Sequence, residues 1–145
     1  MDMTAKARYV ADGHKTADLP FSMTYASVGS RESVRIAFLV AALNGLEVEA
    51  ADIQQAYLNA PCEEKLYIVC GPEFGPEMVG RRAIVVKDAY RLRSSGCQWR
   101  NFLAEALKKD MGFVPCRADN DVYMQKSTKA DGTPYWQYVL IFTDD

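Results

Sequence analysis

The sequence is poor in the residues that soft-metal and secretory chemistry use. It has one histidine, His14, and four cysteines at positions 62, 70, 97 and 116, with no CxxC or HxxxH spacing. Such a set does not assemble a tetrahedral zinc site of the usual kind, and it reads as reduced intracellular thiols. Long hydrophobic runs are missing too. The longest, Ile36 to Leu43, is far short of the ~20 residues a membrane helix needs, and the first residues have no apolar signal-peptide core. Nor is there an excess of positive charge. With 17 Lys and Arg against 19 Asp and Glu the formal charge is −2, so any contact with a polyanion has to be local rather than spread over the surface. The expectation is a cytoplasmic or nuclear protein, not secreted and without a membrane segment.

What is present is a core. Hydrophobic residues make up 49% of 145 positions, enough for one domain. Ala7, Tyr9 and Ala11 alternate with Lys6, Arg8 and Val10, which predicts a short strand with Lys6 and Arg8 on one face. The stretch SVGSRESVRIAFLVAALNGL predicts a helix. Ser30 is its N-cap, Glu32 lies in its first turn and Gly45 is its stop, and its nearly all-round apolar middle makes it a buried helix. Further strands are expected at EVEAADI, KLYIVC and AIVVK, the last two separated by the turn-rich GPEFGPEMVG. A second helix is expected over QWRNFLAEALKKDMGF, with Trp99, Phe102, Leu103, Ala106, Leu107 and Met111 as its apolar stripe and Gly112 as its end. DVYMQK and YWQYVLIFT then read as two strands joined through Asp131-Gly132. Mixed elements in this order predict an α+β fold with a mostly antiparallel sheet and packed helices.

Two of these strands end unusually. EVEAAD and YVLIFTDD both run into aspartate, a residue depleted in strands. If the strands are neighbours, Asp52, Asp144 and Asp145 gather at one end of a sheet, where like charges repel unless a cation compensates them. An all-oxygen cluster of this kind suits Mg²⁺ and phosphoryl transfer. Taken alone, a C-terminal Asp-Asp is most often a solvated chain end, and a lone strand-end Asp is most often a turn former.

The blocks KARYVADG, YASVGSRESVRIAFLVAAL, AADIQQAYLNAPCEEKLYIVCGPEFG, KDAYRLRSSGCQW and DNDVYMQK…YVLIFTDD resemble, in order and spacing, the reverse transcriptase domain of copia-type LTR retrotransposon Pol polyproteins. The resemblance runs from about Lys6 to Asp145. It implies the fingers and palm of a right-hand polymerase, truncated before the thumb, so that residues 1–145 are expected to be a partial reverse transcriptase domain. It also implies RNA-directed DNA synthesis, with an RNA template, a DNA primer, deoxynucleoside triphosphates and the rest of the Pol polyprotein as partners. The alternative is a non-catalytic relic or a repurposed nucleic-acid-binding module. The isolated chain is expected to show no primer extension.

The resemblance assigns roles residue by residue. Asp52, Asp144 and Asp145 match the catalytic carboxylates that hold two Mg²⁺ ions, or Mn²⁺ in their place, with the Ile53 carbonyl as a further ligand. Tyr57 matches the aromatic under the sugar of the incoming nucleotide, whose rigid ring excludes a 2′-hydroxyl. Lys6 and Arg8 match fingers cations that face the triphosphate, or are solvated strand charges. Tyr90 and Arg91 fall in the turn that contacts nucleotide and template. The family reads Tyr-Gly-Leu-Lys where this chain has Tyr90-Arg91-Leu92-Arg93, which puts a bulky cation where glycine lets backbone approach the substrate. The basic residues Arg81, Arg82, Lys87, Arg91, Arg93 and Arg100 are either phosphate contacts or a solvated face.

Overall fold

The computed structural model describes Val10 and residues 21–142. The expected strand carrying Lys6 and Arg8 lies outside the described residues, apart from Val10, which forms a parallel bridge to Tyr90. The elements in order are α1 (Phe21–Thr24), α2 (Arg31–Asn44), α3 (Ala56–Asn59), β1 (Tyr67–Val69), a 3₁₀ turn (Pro72–Phe74), β2 (Arg82–Ile84), α4 (Ser95–Lys109), β3 (Val114–Pro115), β4 (Val122–Thr128) and β5 (Pro134–Leu140). The fold is α+β, and its strands pair antiparallel in a two-stranded sheet, β1-β2, and a three-stranded sheet, β3-β4-β5. The chain divides into two compact units, one built from residues 1–25 and 55–99, the other from 26–54 and 100–145.

In the first unit the β1-β2 ribbon joins Tyr67 to Ile84 and Val69 to Arg82. A second short ladder matters more for the site. After α3 the chain runs antiparallel to residues 86–88, with Asp88 N donating to Ala60 O at 3.0 Å and Cys62 N to Val86 O at 3.2 Å. Ala60, Cys70, Ala89, Leu92, Cys97 and Trp99 are buried here. None of the four cysteines forms a disulfide.

The second unit is organised around the β4-β5 hairpin, in register from Val122–Leu140 to Thr128–Pro134. Its loop closes through Lys129 N to Thr133 O at 2.8 Å, with Gly132 at φ 86° and the Asp131 carboxylate accepting from Thr133 N at 2.9 Å. Only glycine takes that φ cheaply, which is why Asp131-Gly132 was legible as a turn. Ala104, Leu107, Phe113, Tyr123 and Ile141 form the buried cluster of this unit, with Leu103 and Val139 partly buried beside them. Each large side chain so buried contributes about 1.5–3 kcal/mol.

Both long helices form where expected. Ser30 caps α2 by accepting from Ser33 N at 3.0 Å, and Gly45 ends it in the left-handed region at φ 57°. α4 carries Lys108 and Lys109 in its last turn, where they pair with Glu105 and favour the negative helix end. Gly112 follows at φ 75°.

Three expectations need correction. α2 is not a buried helix: Ala41 is its only buried residue, while Ile36, Phe38, Leu39 and Leu43 are 57–76% exposed. The buried cluster of this unit is formed by α4, Phe113 after it and the β4-β5 hairpin with Ile141, and includes no residue of α2, so the apolar side chains of α2 have little within the unit to pack on. The stripe of α4 is also narrower than expected. Trp99 is buried in the first unit, and in the second Ala104 and Leu107 are buried with Leu103 partly so, while Phe102 and Met111 are 42% and 55% exposed. Finally, no strand forms over residues 47–53. A strand exists only by pairing, and this exposed segment, with Val48 58% accessible, joins no ladder among the described residues.

Candidate functional site

Asp52 and Ile53 lie on that irregular segment, after Gly45 has ended α2 and before α3 begins. Both are exposed, Ile53 to 44%. Among the described residues the Asp52 carboxylate has no hydrogen-bond or ion-pair partner, so its lone pairs are available to a ligand. Asp144 and Asp145, like Lys6 and Arg8, lie outside the described residues. Among the described residues no three acidic, cysteine or histidine side chains are grouped to hold a metal.

Tyr57 and Tyr90, remote in sequence, are brought together. Their rings meet edge to face, with centroids 5.4 Å apart and planes at 86°, an arrangement worth about 0.5–1.5 kcal/mol beyond area burial. The ladder of Ala60–Cys62 on Val86–Asp88 positions α3 against the turn that follows residue 88, and Lys87 Nζ adds a bond to Asn59 O at 3.1 Å. The segment before α3 is strained: Gln55, its N-cap, has φ 54°.

Arg91 is the second non-glycine residue with positive φ, at 68°. A side chain in the left-handed region costs on the order of 1 kcal/mol, a cost that glycine avoids. Arg91→Gly is expected to stabilise the first unit by about 0.5–1 kcal/mol. Denaturant unfolding followed by Trp99 fluorescence checks this, and a drop in midpoint would refute it.

The basic residues are not a uniform phosphate-binding face. Arg100 is committed to Asp121 at 2.8 Å, with the acid 3% and the arginine 19% exposed. Arg82 lies over the Tyr67 ring, 4.8 Å from its centroid. Arg81, Arg91 and Arg93 are exposed.

Sequence reasoning did not anticipate Asp88. It is fully buried at 0% exposure, and neither carboxylate oxygen has a well-formed hydrogen bond. Burial lifts its pKa to about 6; the Ser95 side chain and the Ala89 backbone oppose the rise, and Glu64 and Glu63 add to it. Close by, Ser94 Oγ bonds the Glu64 carboxylate, Gln98 Oε1 accepts from Glu63 N at 3.1 Å, and Gln98 Nε2 is unpartnered. Only an acid embedded among Val85, Val86, Ala89 and Leu92 in the sequence hinted at this.

Residues 1–141 match the family of reverse transcriptases (RNA-dependent DNA polymerases), and the chain is a member of that family. It is of the copia type. Over 99% of its length it is 32% identical to the Transposon Ty1-BL Gag-Pol polyprotein of Saccharomyces cerevisiae. Over 97% of its length it is 27% identical to the Retrovirus-related Pol polyprotein from transposon TNT 1-94 of Nicotiana tabacum. The chain spans 8% and 10% of these two relatives. No solved structure matches it. No helix among the described residues is long and apolar enough to cross a membrane.

Proposed function

We propose that this chain provides fingers and palm of a right-hand, RNA-directed DNA polymerase that adds deoxynucleotides to a primer during retrotransposon replication, in a cytoplasmic particle or the nucleus. The observation that carries the reading is the family match over residues 1–141, in which Asp52 stands as an exposed carboxylate with no partner among the described residues. Those oxygens, with the Ile53 carbonyl, are the hard donors that Mg²⁺ or Mn²⁺ takes. Asp144 and Asp145 complete the donor set. Bound there, two such ions would supply charge neutralisation at the attacking 3′-hydroxyl and the departing pyrophosphate.

The chain's own residues do the positioning. Tyr57, held edge-on by Tyr90, offers a ring fixed from one side as the floor under the sugar, and a fixed ring cannot move aside for a 2′-hydroxyl. Lys6 and Arg8 meet the triphosphate. Backbone at Arg91, in the left-handed region, lies against nucleotide and template, and the guanidinium there has two opposing effects. Its charge attracts phosphate, whereas its bulk intrudes on the substrate, and a misplacement of about 1 Å costs on the order of 10²-fold in rate. The steric effect wins over an exposed charge contact.

The test is a chimera in which residues 1–145 replace the matching segment of a Ty1 polyprotein, assayed for deoxynucleotide incorporation on an RNA template. Incorporation is expected, with a severalfold rise on Arg91→Gly. Template binding without incorporation, unrelieved by that reversion, would favour the rival reading, a nucleic-acid-binding module without turnover, for which Arg91 is the motivating feature.

A further inference from the structure

The segment leading to Asp144 is held by a device on the opposite side of the sequence. Ile141, 3% exposed, has both backbone groups bound: its N–H donates to Asp121 O at 2.9 Å, and its carbonyl accepts from Gly29 N at 3.2 Å. These two pegs come from distant parts of the second unit. One sits just before α2 and the other just before β4.

A single carboxylate ties the pegs together. Asp119 Oδ2 accepts from Ser30 N at 3.0 Å and from Ser33 Oγ at 2.6 Å, and Asp119 Oδ1 accepts from Asp121 N at 3.0 Å. Ser30 adjoins Gly29, so each oxygen of Asp119 fixes one peg. The bonds are charge-assisted, the stronger kind, and they hold the Asp119 carboxyl below its ordinary range, the Ser33 hydroxyl contributing most. Asp121 is secured from its other end by Arg100, whose Nε and a terminal nitrogen reach Oδ1, both at 2.8 Å. Asp119 therefore also completes the capping of α2 begun by Ser30 Oγ.

We propose that Asp119 is a positioning residue for the polymerase carboxylates, clamping Gly29 and Asp121 onto Ile141 and so fixing where the chain leaves β5 toward Asp144 and Asp145. The inference rests on the metal-site reading above. A cation held by carboxylates from separate segments binds tightly only if those segments are fixed beforehand. Asp144 follows Ile141 by three positions, so an anchor at Ile141 limits how far along the chain the ligand can reach.

The experiment uses the whole 145-residue chain and compares Asp119→Ala, Asp119→Asn and a control, Asp131→Ala, which removes another aspartate that caps a turn in the same unit. Two quantities are read: amide exchange at Ile141 relative to Leu107 in the core, and Mn²⁺ affinity by electron paramagnetic resonance. Asp119→Ala should speed Ile141 exchange about tenfold more than Leu107 exchange and weaken Mn²⁺ binding about fivefold, on the scale of one or two lost charge-assisted bonds. Asp119→Asn, which keeps one accepting oxygen, should fall between, and Asp131→Ala should change neither ratio. If Ile141 and Leu107 accelerate equally, Asp119 is only a stabilising cap and the proposal is overturned. It is also overturned if Mn²⁺ affinity is unchanged by Asp119→Ala while the unsubstituted chain binds. Absence of Mn²⁺ binding to the unsubstituted chain would instead remove the metal-site reading itself, and with it any positioning role.

Discussion

Asp52→Asn in the Ty1 chimera is expected to lower deoxynucleotide incorporation on the order of 10³-fold or more, with or without Arg91→Gly. Asparagine keeps the size of the side chain and one oxygen but removes the charge, and a hard divalent cation in phosphoryl transfer is worth several kcal/mol of transition-state stabilisation. The substitution should do nothing else. Asp52 is exposed, and surface changes away from packing or partners usually stay within about ±0.5 kcal/mol. Primer extension and thermal unfolding of the same preparation separate the two effects. Activity within about tenfold of the parent chimera would show that Asp52 is not a ligand.

Asp88→Asn is expected to have the largest effect on stability. The carboxyl is buried at 0% exposure with a folded pKa of about 6, above its ordinary 3.8, chiefly through desolvation. A group with a raised folded pKa binds its proton more tightly when folded. Its contribution is therefore fully present below about pH 4 and is lost as pH rises through about 6. At pH 7.5 the ionised carboxylate costs the first unit on the order of 2–3 kcal/mol. Asparagine avoids the charge but still buries an amide with few partners, so the net gain at pH 7.5 should be about 1–2 kcal/mol. Trp99 reports on the unit that contains Asp88, and a Trp136→Phe background silences the other tryptophan. Denaturation midpoints in that background should fall between about pH 4 and 6 with Asp88 present and stay flat over that range in the Asp88→Asn variant. Equal pH profiles for both would mean that Asp88 reaches water or a partner.

How far the sequence could be read depended on the range of each determinant. Ser30, Gly45 and Asp131-Gly132 act within a few residues, and the elements they bound appeared where expected. The strand over residues 47–53 required a neighbour that local pattern cannot supply, and it did not form. The meeting of Tyr57 with Tyr90 depends on the ladder between residues 60–62 and 86–88, so resemblance assigned their roles without revealing their contact. Arg91 was partly legible: the family's glycine marked the position, and the structure added the positive φ. Asp88 and Asp119 were not legible as special, because an acid in a loop looks the same whether it is solvated, buried or bonded to a distant helix end.

The central claim, that Asp52 and the Asp144-Asp145 pair share bound cations, is tested most directly by paramagnetic broadening in the amide spectrum of the ¹⁵N-labelled 145-residue chain. Substoichiometric Mn²⁺ should broaden two groups of signals together, residues near Asp52-Ile53 and residues from about Phe142 to Asp145, with excess Mg²⁺ restoring both and Asp52→Asn weakening both. Broadening confined to the C-terminal acids, untouched by Asp52→Asn, would contradict a shared site.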